Sequence, residues 1–195
     1  SCRIHDKINN EGDNVFIDNI FIGSMSLPLP GDSNCDGVVN VLDIVTTTNY
    51  ILLQNPTPFC YENADVNGDN IINVLDVVGT NSIIIGETKH DSQTVNSETG
   101  YIYLNNDGIE LANDGTLAGL QFDIQGLTMK DVEIALRGYE FRCAEIGNSL
   151  RCIIFSFDNS PLPAERTTIM KFKTRLNDLA WGEVIAANVN AMEVP

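Results

Sequence analysis

The sequence predicts a multidomain chain: a small all-α module followed by an all-β antiparallel sandwich and preceded by an isolated N-terminal β-strand. Three observations support this. An acidic loop with a helix-like pattern behind it is written twice, a polar stretch follows, and short apolar segments then alternate with turn signals. We therefore divide the 195 residues into an N-terminal segment at 1–26, the loop–helix module at 27–88, a linker at 89–100 and the sandwich at 101–195.

The two acidic loops begin at Asp32 and Asp65, which are 33 positions apart. Each loop carries oxygen-bearing side chains at positions 1, 3, 5, 9 and 12, and position 7 offers a backbone carbonyl. Such spacing suits Ca²⁺, which takes about six to eight oxygen ligands. The pattern predicts two Ca²⁺ sites. Their ligands are Asp32, Asn34, Asp36, Val38, Asn40 and Asp43 in the first loop, and Asp65, Asn67, Asp69, Ile71, Asn73 and Asp76 in the second.

Both loops depart from the EF-hand pattern. Position 12 is Asp instead of the longer Glu, and position 6 of the second loop is Asn70 instead of Gly. Asn tolerates the left-handed backbone conformation better than most residues. The alternative is a pair of unrelated Asx-rich turns. The repeated spacing and the matching apolar positions that follow the loops argue against it.

This duplicated motif resembles the type I dockerin family over residues 30–87, and the loop–helix module is dockerin-like in that sense. The resemblance implies an adaptor that binds a cohesin domain through its helices. In cellulosomal members the two positions before the closing Asp often carry hydroxyl residues. Here they are Val41-Leu42 and Val74-Leu75, so a partner contact at these positions would be apolar.

Composition excludes several classes of partner. The formal net charge of -16 argues against nucleic acid and against anionic membrane surfaces. A hydrophobic content of 43% supports folded cores. No apolar run approaches the ~20 residues that span a bilayer, so we expect no membrane insertion.

The five cysteines indicate an oxidising compartment, and we predict an extracellular or cell-surface location. Cys143 and Cys152 flank a short turn segment, as a hairpin-bridging pair would. Cys35 in the first loop and Cys60 in the inter-repeat connection could form a second disulfide. Cys2 is then left over for a partner outside the chain. The alternative is five buried thiols.

Hydrophobic periodicity and turn signals predict the helices and strands. We predict helices at 41–53, packed by Leu42, Val45, Tyr50 and Ile51, and at 74–85. The β-branched and aromatic residues of 14–22 predict a strand that must pair with something. Further strands are predicted at 101–104, 109–112, 117–124, 132–137, 150–157, 167–174 and 183–189.

The second region resembles a cohesin-like or related carbohydrate-binding-type sandwich. The resemblance is carried by residues 117–124, 150–157 and 169–173. Fewer strands are predicted here than a cohesin should have. The fold is therefore either shortened or completed by a strand from elsewhere.

Nothing in the sequence points to catalysis, and we predict that the chain is not an enzyme. The two histidines, His5 and His90, lie in polar segments, and no nucleophile, zinc or phosphate-loop motif is present. The sole tryptophan, Trp181, is predicted to belong to the core.

Three hypotheses for function follow. The first is a non-catalytic extracellular calcium-binding assembly protein, whose partner is a protein and includes other copies of itself. Such copies would associate head to tail into filaments through dockerin-like, sandwich and donor-strand contacts. The second is the C-terminal adaptor of a larger secreted hydrolase, since Ser1 looks like an internal position. The third, not favoured, is a carbohydrate-binding module.

Overall fold

The computed structural model describes residues 27–86, 99–174, 176 and 178–194. The predicted strand at 14–22, Cys2, both histidines and nearly all of the predicted linker lie outside the described residues. In the described part of the chain, a helical region at 27–86 packs against a β-sandwich at 99–194.

The helical region contains α1 (Val41–Ile51), α2 (Tyr61–Ala64) and α3 (Val74–Ile85). The predicted second helix matches α3, which ends where Gly86 takes a left-handed φ of 74°. The first helix is shorter than predicted, because Leu53 has a φ of 55°. The short helix α2 was not predicted.

One predicted packing residue of α1 is wrong. Leu42 is 58% exposed, whereas Ile44, two positions further on, is 1% exposed and belongs to the core. The predicted role of Ile51 is confirmed, and Tyr50 packs partly buried against the same cluster. The buried face of α1 is therefore formed by Ile44, Thr47, Thr48 and Ile51, and Leu42 lies outside it.

In the described part of the sandwich, eight antiparallel strands form two four-stranded sheets. They are β1 (Gly100–Asn105), β2 (Gly108–Asn113), β3 (Leu117–Gln125), β4 (Val132–Ile134), β5 (Glu140–Ile146), β6 (Ser149–Phe155), β7 (Thr167–Phe172) and β8 (Ala180–Asn188). Sheet A has the order β1-β2-β7-β4, and sheet B has the order β5-β6-β3-β8.

The seven predicted strands are all present, with shifted ends. Strand β4 stops at Ile134 instead of residue 137, and β8 starts at Ala180 instead of residue 183. Strand β5 was missed because it carries a charged residue at three of its positions, as an edge strand often does.

The sandwich core lies between the sheets. Leu120, Phe122 and Ile124 of β3 meet residues of sheet A such as Ile109 and Ile169, and all of these side chains are buried. Trp181 is partly buried at the rim of this core, where its ring lies edge-on to Phe122 at 6.0 Å between centroids.

The opposite face of sheet B carries the helical region. Val74, Val77 and Val78 of α3 form a second buried cluster with Ile153 and Phe155 of β6. The molecule therefore has three layers, which are the helices, sheet B and sheet A. No helix in the described part of the chain is both long and apolar enough to cross a membrane.

Both predicted disulfides are confirmed. Cys35 is bonded to Cys60, and Cys143 is bonded to Cys152 across the hairpin of β5 and β6. The first disulfide ties the first loop to the segment that precedes α2, so it closes the helical region at the end nearest that loop.

Candidate metal centre

Each acidic loop leads directly into a long helix and is fixed to it by the same pair of hydrogen bonds. The side chain of Asn40 accepts from the Leu42 N–H at 2.8 Å, and Asp43 accepts from the Asn40 N–H at 2.8 Å. In the second loop Asn73 accepts from Leu75 at 2.7 Å, and Asp76 accepts from Asn73 at 3.0 Å. These reciprocal bonds satisfy helix N–H groups that have no partner within the helix.

The aspartate at position 1 sets the curvature of each loop. The carboxylate of Asp32 accepts from the N–H groups of Asp36 at 3.0 Å and Gly37 at 3.1 Å. The carboxylate of Asp65 accepts from Asp69 at 3.1 Å and Asn70 at 2.9 Å. The two loops are therefore wrapped around equivalent carboxylates.

Position 6 has the left-handed backbone that the pattern requires in both loops. Gly37 has a φ of 86° and Asn70 has a φ of 65°. Asn is among the few residues that adopt this conformation without a large steric cost. The replacement of Gly by Asn in the second loop therefore leaves its path unchanged.

Positions 3 and 5 lie side by side. Asn34 donates from Nδ2 to Asp36 at 3.1 Å, and Asn67 donates to Asp69 at 2.9 Å. The amide oxygen at position 3 is also bonded, because it accepts from the backbone N–H at position 5 at 2.9 Å in both loops. These side chains are held within one turn of the loop.

The aspartate that closes each loop is fully buried. Asp43 and Asp76 are both 0% exposed. Burial raises the pKa of Asp76 to about 6, because desolvation disfavours its charge more than the N–H groups of Asn73, Val66 and Asn67 restore it. A buried carboxylate in this position is stabilised by a nearby positive charge.

Among the described residues, no basic side chain pairs with a loop aspartate. The ion pairs found there join Arg142, Arg151 and Arg166 to acids of the sandwich. Each loop concentrates three aspartates. The predicted ligand atoms are all oxygens, which Ca²⁺ prefers.

The predicted ligands of each loop combine carboxylates with amide and backbone carbonyl oxygens. In the described residues no group of three or more His, Cys, Asp or Glu side chains is placed to hold a metal ion. The loops alternate aspartates with asparagines and a backbone carbonyl, and their carboxylate oxygens accept from backbone N–H groups. The donor chemistry fits Ca²⁺, and the assignment of the twelve ligands stays a prediction.

The second candidate site is the contact between the helical region and sheet B, which sequence reasoning did not anticipate. Val74 is 0% exposed and Leu75 is 5% exposed in this contact. A Cβ atom built on Gly119 of β3 would lie 2.7 Å from Val74 Cγ2 and 2.8 Å from Val78 Cγ2. Glycine at this position is what allows α3 to approach the sheet so closely.

Polar bonds fix the orientation of this contact. Asn81 of α3 donates to the carbonyl of Ser156 at 3.0 Å, and Asn159 donates to Ser82 at 3.3 Å. Arg151 of β6 bonds to Asp123 at 2.8 Å and donates to the carbonyl of Ile51, at the end of α1, at 3.4 Å. Both long helices are therefore linked to the sheet.

The first repeat presents its equivalent apolar residues to solvent. Val41 and Leu42 occupy the same repeat positions as Val74 and Leu75, yet they are 46% and 58% exposed. A signal for this asymmetry was present in the sandwich, since Gly119 in an otherwise apolar strand marks a close approach of another element.

The acids of the sandwich are engaged structurally. Asp123 pairs with Arg151, and Ser160 and Ser156 bond to Asp158 and lower its pKa to about 2. These interactions orient loops and strands of the sandwich.

Comparison with known proteins supports the assignment of the helical region. A family model described as the Dockerin type I domain matches residues 30–81. No curated protein matches the chain.

Solved structures similar to this chain include two cohesins. One is a non-cellulosomal cohesin from the hyperthermophilic archaeon Archaeoglobus fulgidus, with 11% identity, a TM-score of 0.34, and coverage of 51% of this chain and 75% of that chain. The other is a cohesin module from a Clostridium perfringens ATCC13124 family 33 glycoside hydrolase, with 7% identity, a TM-score of 0.35, and coverage of 51% of this chain and 90% of that chain.

The family match and the repeated loop–helix geometry agree over the same residues. Type I dockerin domains bind calcium and are non-catalytic protein-interaction modules. Residues 30–81 of this chain match the type I dockerin family model, and they are followed by an antiparallel two-sheet β-sandwich.

Proposed function

We propose that this chain is a non-catalytic extracellular protein that binds two Ca²⁺ ions and joins copies of itself head to tail into filaments. The observation that carries the proposal is the exposure of Val41 and Leu42 in a chain that joins a helical region to a β-sandwich. The equivalent Val74 and Leu75 of the second repeat are already buried against sheet B of the same chain, so the first repeat carries the exposed helical surface. Each copy therefore offers a helical surface and a sandwich to the next copy.

Calcium acts in this proposal through the second loop. Asp76 closes that loop and is buried in the first turn of α3, only two residues from Val74. A cation held by the second loop would fix the N-terminal end of α3 against the sheet. Order in the loop and order in the contact are thus coupled.

The geometry of such an association favours an open polymer. A contact in which one surface of a copy binds a different surface of the next copy is heterologous, and it builds filaments unless rotation closes a ring. Two disulfides within the described residues suit an oxidising, extracellular setting.

The test is a calcium titration of the full chain, followed by light scattering and electron microscopy. We expect long linear particles in calcium and their loss when a chelator is added. A chain that stays monomeric in saturating calcium contradicts self-association, and it would leave the exposed Val41 and Leu42 as the surface for a different protein partner.

A further inference from the structure

We propose that the open edge of β1 receives a β-strand from a second copy of this chain, and that the strand is the segment at residues 14–22. The inference rests on the proposed function, because it names the contact that joins one copy to the next. In the described residues the contact of α3 with sheet B is formed within one chain, so a different surface must link copies that keep this contact.

Strand β1 lies at the edge of sheet A and pairs with β2 along its other side. Its sequence is Gly-Tyr-Ile-Tyr-Leu-Asn, which contains no charged residue and no proline. Edge strands of monomeric proteins are usually blunted by charges, prolines, bulges, short length or a covering segment. Strand β1 has six residues and a regular register with β2.

Among the described residues, the other three edges of the sandwich are shorter, more charged or partly covered. Strand β4 has three residues, and β5 carries Glu140, Arg142 and Glu145. The outer side of β8 is covered near its end, where Ala187 pairs with Glu193 and the Val194 N–H donates to Ala186 at 2.8 Å. The contrast identifies β1 as the edge that is open to another strand.

Within the described residues, β1 pairs with no strand on that side. Ile102 and Leu104 point into the sandwich core but remain only partly buried, whereas Ile109 and Leu111 of β2 are 0% and 2% exposed. On the outer face, the rings of Tyr101 and Tyr103 lie 6.3 Å apart, and Tyr101 is 57% exposed. An added strand would bury both rows and bond to the free side of the β1 backbone.

The segment at 14–22 has the composition of such a strand. It contains a single charged residue, Asp18, and six large apolar residues. Those residues are Val15, Phe16, Ile17, Ile20, Phe21 and Ile22. β-Branched and aromatic side chains pair well across strands with the Tyr and Ile of β1.

Chain length favours donation between copies over pairing within one copy. Leu27 lies beside Cys35, Cys60 and Tyr61 in the helical layer. The five residue steps from Leu27 back to Ile22 span at most ~17 Å when fully extended. Sheet A lies beyond both the helical layer and sheet B, so this short tether favours an acceptor edge on a second copy.

The experiment uses two full-length variants. Tyr101→Lys places a charge on the acceptor edge, and Ile20→Pro removes a backbone donor from the donor segment. Ile134→Lys on β4, at the opposite edge of the same sheet and 37% exposed, is the matched control. In calcium we expect filaments from the wild type and the control, and none from either test variant.

A mixture of the two variants gives the sharpest outcome. Tyr101→Lys retains a donor segment and Ile20→Pro retains an acceptor edge, so an equal mixture should give heterodimers that cannot grow further. Light scattering measures their size.

Filaments from both variants at wild-type concentrations would overturn the inference and leave the proposed function standing. If the wild type itself fails to assemble in calcium, the proposed function and this inference both fail. If Tyr101→Lys does not fold, as seen by circular dichroism, Ile20→Pro alone decides.

Discussion

The two loop–helix repeats have nearly the same local structure and very different surroundings. Both begin with a wrapped aspartate, both cap their helix with Asn and Asp, and both bury the closing aspartate. In the second repeat, however, Val74 and Leu75 are buried, whereas Val41 and Leu42 of the first repeat are exposed. Local sequence therefore dictates the loop, and the neighbouring sheet dictates the role of the helix.

The repeats are also held by different means. The first loop is tied by the disulfide between Cys35 and Cys60. The second loop contains no cysteine, and its helix is held by sheet B through Val78 and Asn81. We expect the second repeat to depend on the sandwich for its order, and the first to depend on its disulfide.

The largest difference between the repeats should appear when the paired leucines are truncated. Leu75→Ala removes a buried side chain from the contact with sheet B and should lower the free energy of unfolding by about 2–5 kcal/mol. Leu42→Ala removes an exposed one and should change it by less than about 0.5 kcal/mol. Urea unfolding in saturating calcium measures both. Equal losses would contradict the asymmetry.

Removal of the first aspartate of each loop should separate the two predicted calcium sites. Asp32→Ala and Asp65→Ala should each reduce the calcium stoichiometry from two to one by calorimetry. Each lost site should lower stability by about 2.7 kcal/mol when free calcium is a hundred times Kd.

The two aspartate variants should differ in how far the damage spreads. Asp65→Ala should increase hydrogen exchange in α3 and in the facing part of β3, because α3 packs on Gly119. Asp32→Ala should affect the first loop alone, where Cys35 and Cys60 limit the disorder. A variant that still binds two ions would show that its aspartate is not a ligand.

The third effect concerns the glycine that lets the helix approach the sheet. Gly119→Ala places a Cβ atom 2.7 Å from Val74 Cγ2, so the side chains must move. Overpacking of this kind costs about 1–3 kcal/mol. Gly100→Ala is the control, since a Cβ atom there would meet no atom within 4 Å. If both variants melt at the wild-type temperature, the contact is looser than these distances imply.

Repeat spacing was sufficient to predict the loops and both long helices, and the positions of the cysteines along the chain predicted both disulfides. The hydrogen bonds within each loop join residues at most ten positions apart, for example Val66 with Asp76 at 2.9 Å, and such bonds follow from local sequence. Turn signals and apolar alternation likewise located seven strands of the sandwich.

Gly119 marks a close approach of another element to sheet B, but one sequence could not identify the helical region as that element. The contact between them joins Asn81 to Ser156, which are 75 positions apart, and no local pattern marks such a pair. The same limit explains the error at Leu42, because its repeat partner Leu75 is buried only by a sheet that comes later in the chain. A periodic apolar residue shows that a helix has an apolar face and leaves open whether anything covers it.

The smallest expected effect compares Asn81 with Thr48, the equivalent position of the first repeat. Both residues are buried, at 1% and 3% exposure. Asn81 donates to the Ser156 carbonyl across the contact, whereas Thr48 Oγ1 has no hydrogen-bond partner among the described residues. Asn81→Ala removes a bond that crosses the contact and should cost about 1 kcal/mol.

Thr48→Ala removes a buried hydroxyl that has no hydrogen bond to lose, and this relief offsets the loss of the methyl contacts. The free energy of unfolding should therefore fall less than in Asn81→Ala. Urea unfolding of both variants, with hydrogen exchange at the Ser156 region, measures the difference. A Thr48→Ala variant that costs as much as Asn81→Ala would mean that side-chain packing, and not the hydrogen bond to the sandwich, distinguishes the two helices at this position.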